Sequence, residues 1–403
     1  MNASMRAGID ASPGSGVPPR RPRVLEVLYS FRTGGSEVVG LELAHQLAGA
    51  GVEIMCTAVD GMTGPLRERC ERLGITVIDL GFPVSGILRR NGFNRSLAQD
   101  LRALRLDAIH LQHFLTLQKI GLAARLARVP RIVVTEHSDA PYRKILGQRL
   151  RLHLVWRLAH HITVIHPKMA EYLSLQFRVP ASRISMIPNG IETAQWHRRD
   201  REQRRAELGL GPELTFMFVG RLQPIKNVPG LIRAFLSAQS SFPRPARLLI
   251  VGDGPEMAAC RASLEGHPGA RTVTFLGAQT DVRRYLAAAD VLVLNSSSEG
   301  VPRALLEAMC MGLPAISTAV GGIPLLLEGR GWLTRIDDPE SVRAALLEAA
   351  AQPEKAAQFG EQARTFVTSH YDYRDVIARY RDVLQLPDPG ARCADLSGRH
   401  HIV

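Results

Sequence analysis

The chain alternates short, wholly apolar runs with longer stretches whose apolar residues recur every three or four positions. Residues 131–135 (RIVVT), 213–220 (ELTFMFVG), 246–251 (ARLLIV) and 291–294 (VLVL) lack polar alternation, the pattern of parallel strands buried on both faces. Residues 37–49 (EVVGLELAHQLAG) instead place Val38, Leu41, Ala44 and Leu47 on one helical face. Before residue 190, strands are expected at 23–30, 53–59, 75–80, 108–111, 131–135, 161–164 and 184–187, with helices at 37–49, 66–73, 95–106, 115–127 and 167–177. Beyond it, strands are expected at 213–220, 246–251, 273–277, 291–294 and 314–317, and helices at 340–351, 356–369 and 375–384 close the chain. This alternation predicts an α/β protein with parallel sheets wrapped by helices on both faces. A chain of 403 residues exceeds one ordinary core, so two domains are expected. Pro188-Asn189-Gly190 reads as a turn, because Asn-Gly favours one and the proline stops any helix.

Candidate chemistry gathers where strands end. After 291–294 the chain reads SSSEGVPRALLEAM (296–309), and a helix should begin near Pro302, since proline is tolerated in a first turn. Strand, tight loop and helix N-terminus bring backbone N–H groups and a positive dipole end to one point, ready for a phosphate. Glu299 lies in the loop and Glu307 in the helix; each could reach a ligand, or serve only as a capping acid and a solvated one. Arg221 and Lys226 follow strand 213–220 and can converge on one anion. Gly34-Gly35 follows the first strand, where glycines let the backbone approach a ligand. His137 follows strand 131–135, placed for chemistry though equally an ordinary structural histidine. His110 and His113 are candidates for lining a first-domain cleft, without the third ligand a metal would need. GDGPE (252–256) suits either a structural turn or a binding loop.

EGVPRALLEAM resembles the glutamate-seven-glutamate signature of family 4 of the retaining, GT-B-fold glycosyltransferases. Further motifs follow in the family's order over residues 22–385: the glycine-rich first loop, VVTEHS, PNGIE, GRLQPIKN, GDGPE and VGGIP. The resemblance implies an α/β GT-B fold, two Rossmann-like domains facing across an interdomain cleft. It implies an acceptor-side domain at 22–190, a nucleotide-sugar donor domain at 191–372, and a C-terminal helix at 373–385 returning to the first domain. The roles it implies are donor-sugar binding for Glu299, ribose binding for Glu307, and diphosphate binding for Arg221 and Lys226. His137 would contact the transferred sugar, so the implied catalytic set is His137, Glu299, Arg221 and Lys226. Gly34, Gly35, Gly220, Gln279, Gly300, Val301 and Pro302 would complete the donor site, Gln279 through backbone contact with the base. Arg221 and Lys226 would take over the task of a metal ion, so no cofactor is expected, the nucleotide sugar being a substrate. No Asp-x-Asp is present, and Asp337-Asp338-Pro339-Glu340 reads better as a helix cap. No enzymic nucleophile stands out, which is compatible with the family's front-face displacement. Two residues depart from the pattern: Arg303 stands where Asn is frequent, and Leu325 where Glu is common.

The net charge of +12 adds a question of partners. Residues 83–160 carry fourteen Arg or Lys against four acids, and 141–161 (PYRKILGQRLRLHLVWRLAHH) mixes basic and apolar side chains as interfacial helices do. Such a stretch suits an anionic membrane surface or is an ordinary amphipathic helix with a solvated basic face. The resemblance to a family with members that act on lipid-linked acceptors favours the membrane and implies a lipid-linked or polysaccharide acceptor, while nucleic acid is disfavoured for want of a binding module. No apolar run approaches the ~20 residues of a membrane span. The stretch 1–21 lacks an apolar core and reads as a disordered tail, not a signal peptide, and 386–403 as a second tail. Five scattered cysteines suggest reduced thiols, so a cytoplasmic location is expected, peripheral on the membrane's inner face. The rival readings are a GT-B nucleotide-sugar epimerase, a silent nucleotide-sugar binder and a basic nucleic-acid-binding protein.

Overall fold

The computed structural model describes residues 20–32, 34–82, 95–137 and 149–387. Both expected tails lie almost wholly outside the described residues, as does the basic segment 141–148.

The apolar runs form two separate parallel sheets. The first holds β1 (Arg23–Leu28), β2 (Glu53–Ala58), β3 (Thr76–Val77), β4 (Ala108–Gln112), β5 (Arg131–Glu136), β6 (His161–Val164) and β7 (Ile184–Met186). Its order is β3-β2-β1-β4-β5-β6-β7. The second holds β8 (Leu214–Val219), β9 (Ala246–Val251), β10 (Val273–Gly277), β11 (Val291–Leu294), β12 (Ala315–Thr318) and β13 (Trp332–Thr334), in the order β10-β9-β8-β11-β12-β13. In each sheet the strand order reverses once, between β1 and β4 and between β8 and β11. Ligands of such sheets bind beyond the carboxyl ends of the strands at that reversal.

Burial explains the apolar runs: every residue of β4, β8 and β11 is buried. The strand expected at 75–80 shrinks to two residues. Asp79 accepts a hydrogen bond from the backbone N–H of Gly81 at 2.7 Å, a local turn that carries the chain off the sheet edge. Asp338 caps the helix Pro339–Ala351, its carboxylate accepting from the Ser341 N–H at 2.9 Å.

The last helix, Tyr373–Leu384, lies on the first sheet's side of the molecule. Val376, Ile377, Tyr380 and Leu384 share an apolar core with Leu28, Leu41 and Val133. Arg131 and Arg381 fasten it by donating to the carbonyls of Val383 (2.7 Å) and Ala50 (3.0 Å). Ile191 and Asp372 form a parallel bridge, so the chain's outward and return passages between the sheets run side by side. Among the described residues no helix is long and apolar enough to cross a membrane.

Candidate active site

The loop after β11 is fixed from two sides. Asn295 donates to the carbonyl of Asn227 (3.2 Å) and the Ser297 N–H to that of Ile225 (2.8 Å), tying it to the loop after β8. On its other side the Gly322 N–H donates to the carbonyl of Gly300 at 2.8 Å. Gly321 there takes a left-handed φ of 53°, and any Cβ on it would run into the carbonyl of Glu299. The helix Arg303–Cys310 follows, with Val301 and buried Pro302 leading into it and Pro302 at its N-cap.

This bracing brings Lys226 and Glu299 together. Lys226 ends a short turn, Pro224–Lys226, before left-handed Asn227, and its ammonium is ion-paired with the Glu299 carboxylate. The Ser296 hydroxyl donates to the same carboxylate oxygen at 2.7 Å. The two residues expected to hold phosphate and sugar thus hold each other. An ammonium has three donors, so this pairing orients Lys226 without saturating it. Arg221 is exposed at the start of the loop, beside Gly220. GDGPE braces that loop: the Leu222 N–H donates to the carbonyl of Asp253 (2.9 Å), and the Glu256 N–H to that of Leu222 (3.0 Å).

His137 faces this loop from the first sheet. A Cβ on Gly300 would stand 2.6 Å from the His137 carbonyl oxygen, and equally close to the Ile165 side chain. The imidazole is buried, and its Nε2 lies 2.5 Å from Gln112 Oε1. Gln112 in turn donates to Glu26 Oε1 at 2.6 Å, which turns the amide oxygen toward His137 and makes Nε2 the protonated nitrogen. Burial, reinforced by the nearby His113, lowers the His137 pKa to about 3, so the ring is neutral. His113 bridges Glu136 (3.1 Å) and the Ser36 hydroxyl (2.7 Å), linking His137's neighbourhood to the Gly34-Gly35 turn. Burial acts against its cation, yet the hydrogen bond and charge of Glu136 carry its pKa above the ordinary value. Gly34 is the N-cap of the helix Gly35–Gly49, which starts two residues earlier than the apolar pattern indicates, and Gly35 is exposed. His110 is no cleft residue. It is wholly buried between Glu26 (2.8 Å) and Thr135 (2.7 Å), because it points into the sheet's interior at the position paired with Glu26.

Glu307 stands apart from that contact, buried in its helix. Arg303, one turn earlier, donates from Nε to Glu307 Oε1 at 2.6 Å and is also ion-paired with Glu42 of the first domain. Burial pushes the Glu307 pKa up to about 7 despite Arg303, with the charges of Glu42 and Asp281 adding to the rise. Asp281 is two residues beyond Gln279, whose half-buried side chain donates to the Leu276 carbonyl at 2.6 Å and closes its own turn. The arrangement therefore offers cations and a helix N-terminus suited to an anion, one carboxylate beside them and a second, buried one in the helix that follows.

Family models decide what such a cleft belongs to. Residues 33–195 match the model Glycosyltransferase Family 4, and residues 213–352 match Glycosyl transferases group 1. The chain belongs to glycosyltransferase family 4. It is 25% identical over 362 residues to the N-acetyl-alpha-D-glucosaminyl L-malate synthase of Bacillus anthracis, across 87% of this chain and 93% of that one. It is 28% identical over 278 residues to the UDP-Gal:alpha-D-GlcNAc-diphosphoundecaprenol alpha-1,3-galactosyltransferase of Escherichia coli, across 63% and 71% of the two chains. The crystal structure of Anabaena Alr3699/HepE in complex with UDP shares the fold with a TM-score of 0.78 at 19% identity, over 90% of this chain and 99% of that one. The two-sheet architecture of this family 4 glycosyltransferase is the GT-B fold.

Several residues that support the site escaped sequence reasoning. Glu26, Gln112 and Glu42 carry no motif, yet a trace existed for two of them. A buried strand reading RVLEVL has no use for a solvated acid, and AIHLQ places two polar residues on one face of an apolar strand. Glu42 left no such trace, because its partners Arg69, Arg303 and Tyr373 come from distant segments.

Proposed function

We propose that this glycosyltransferase moves a sugar from a nucleotide diphosphate sugar to a hydroxyl acceptor with retention of anomeric configuration and without a metal ion. The observation that carries the reading is the meeting of His137's carbonyl with Gly300, beside Glu299 and its partner Lys226. A donor sugar seated there has an imidazole from one domain and a carboxylate from the other. Glu299 orients it through its hydroxyls, fixing the anomeric carbon in the cleft.

Lys226, Arg221 and the N-terminus of the helix Arg303–Cys310 take up the negative charge that builds on the leaving diphosphate. Preorganised cations contribute most where charge develops in the transition state. Neutral His137 has Nε2–H committed to Gln112, which leaves Nδ1 as an acceptor for a sugar hydroxyl. Glu307 receives the ribose hydroxyls. With no side chain assigned as nucleophile, the leaving phosphate accepts the acceptor's proton as the new bond forms on the same face.

The donor is assigned to the UDP or GDP class. UDP is the ligand in the Anabaena structure, and the Escherichia coli relative is named for a UDP-sugar donor. The acceptor is assigned to lipid-linked or polysaccharide precursors, at an anionic membrane surface. The first domain's basic charge supports this, as do Leu154 and Leu175, exposed by 54% and 69% on adjacent helices.

Thermal unfolding with UDP, GDP or ADP tests the donor class. A nucleotide at a hundred times its dissociation constant stabilises by about 2.7 kcal/mol, and Lys226→Ala should abolish that rise. With the donor known, proton NMR of the product reads the anomeric outcome, and turnover in EDTA tests metal independence. Inversion, or activity that EDTA removes and magnesium restores, overturns the corresponding part of the reading.

A further inference from the structure

Three segments from different parts of the chain meet at Glu42. Its Oε1 accepts from Arg69 (3.1 Å), and its Oε2 from the Tyr373 hydroxyl (3.1 Å) and from Arg303. Tyr373 opens the helix that returns to the first domain, and a Cβ on Gly190, at the outward crossing, would strike its ring. Glu42 therefore sits where both interdomain passages converge. Its side chain is 15% exposed and that of Glu307 only 7%, so the guanidinium between them joins two largely desolvated carboxylates.

Arg303 reaches both with different nitrogens, Nε to Glu307 and Nη1 to Glu42. A planar guanidinium cannot turn toward one partner without leaving the other, whereas asparagine there is too short to span both and lysine offers a freely rotating point donor without the fixed fork. The orientation of Glu307 in the donor wall is thereby tied to a helix of the other domain. We propose that Arg303 and Glu42 are positioning residues for the donor nucleotide: Glu42 holds Arg303, and Arg303 holds Glu307 in the rotamer that meets the ribose. This rests on the assignment of Glu307 to the ribose. It adds that nucleotide affinity is set partly from the first domain's side of the hinge, through a residue that never touches the donor.

The experiment measures dissociation constants by calorimetry on the full chain, with whichever of UDP and GDP raises its melting midpoint. The variants are Glu42→Gln, Arg303→Asn, Arg303→Lys, the double variant Glu42→Gln/Arg303→Asn, and Glu307→Ala. Glu42→Gln should weaken the nucleotide at least about fivefold. The double variant should bind no more weakly than Arg303→Asn alone, because both remove one link. In steady state Glu42→Gln should raise the donor KM and leave the acceptor KM unchanged, a split that general loosening would not produce. Arg303→Lys keeps the charge and guards against misfolding; it should still bind more weakly than the parent. The proposal is overturned if Glu42→Gln binds within twofold of the parent, or if the two single effects multiply in the double variant. If Glu307→Ala itself binds normally, the ribose assignment has failed instead, and the two failures are told apart.

Discussion

The carbonyl oxygen of His137 lies against Gly300, with room for a hydrogen but not for a methyl group. The contact joins the end of β5 to the loop after β11, and a Cβ at residue 300 would meet backbone on one side and Ile165 on the other. Gly300→Ala should therefore hold the domains apart. The expected outcome is a fall in kcat of at least about tenfold, since small misplacements of reacting groups are costly. The nucleotide-induced melting shift should shrink no more than it does in Glu42→Gln, because Lys226 and Glu299 both lie on the second domain's side and the Arg303–Glu42 pair is the nucleotide-side link that crosses between domains. Equal loss of both would place the fault in folding.

Gln112 is 1% exposed and serves two buried partners, donating to Glu26 and accepting from His137. Gln112→Leu removes both hydrogen bonds and leaves a carboxylate short of a donor. The expected cost is about 3 kcal/mol in urea unfolding, the range for stranding buried polar groups. A cost below about 1 kcal/mol would mean that Glu26 is satisfied by His110 alone.

His137 sets a pH dependence of stability. Its pKa is about 3 when folded, held down by burial, against an ordinary value of 6.5. The unfolded chain therefore takes up a proton that the folded one refuses, and stability falls as pH drops from 6.5 toward 3. Between pH 7.5 and 5 this group contributes about 2 kcal/mol of that loss. His137→Asn should show a correspondingly shallower fall, read by urea unfolding at the two pH values.

Glu307 acts with the opposite sign. Burial raises its pKa from 4.5 to about 7, so its neutral form favours the folded state. That contribution is complete below 4.5 and is lost as pH rises through 7. Glu307→Gln should remove this part of the decline, and its stability relative to the parent should improve between pH 5 and 8. If the difference stays constant with pH, the carboxylate is already ionised across that range beside Arg303.

The order of elements, the parallel sheets and the strand-end loops carrying Lys226, Glu299 and His137 were legible in the chain. Strand burial imposes unbroken apolar runs, and a phosphate-facing loop requires particular residues close together in sequence. What the linear order could not show was pairing between loops that meet only after folding. Lys226 and Glu299 read as separate ligand-binding residues until the bracing of two loops joined them. His110 looked like a cleft residue because the side of a strand that becomes interior depends on register, here its pairing opposite Glu26. Arg303 looked like a departure from pattern, and only the convergence of both interdomain passages at Glu42 gives it a partner outside its own helix. Sequence determined which local structures form and what chemistry each carries. The tertiary structure decided which of those groups neutralise, orient or face one another, because distances between remote segments are set by packing and not by spacing along the chain.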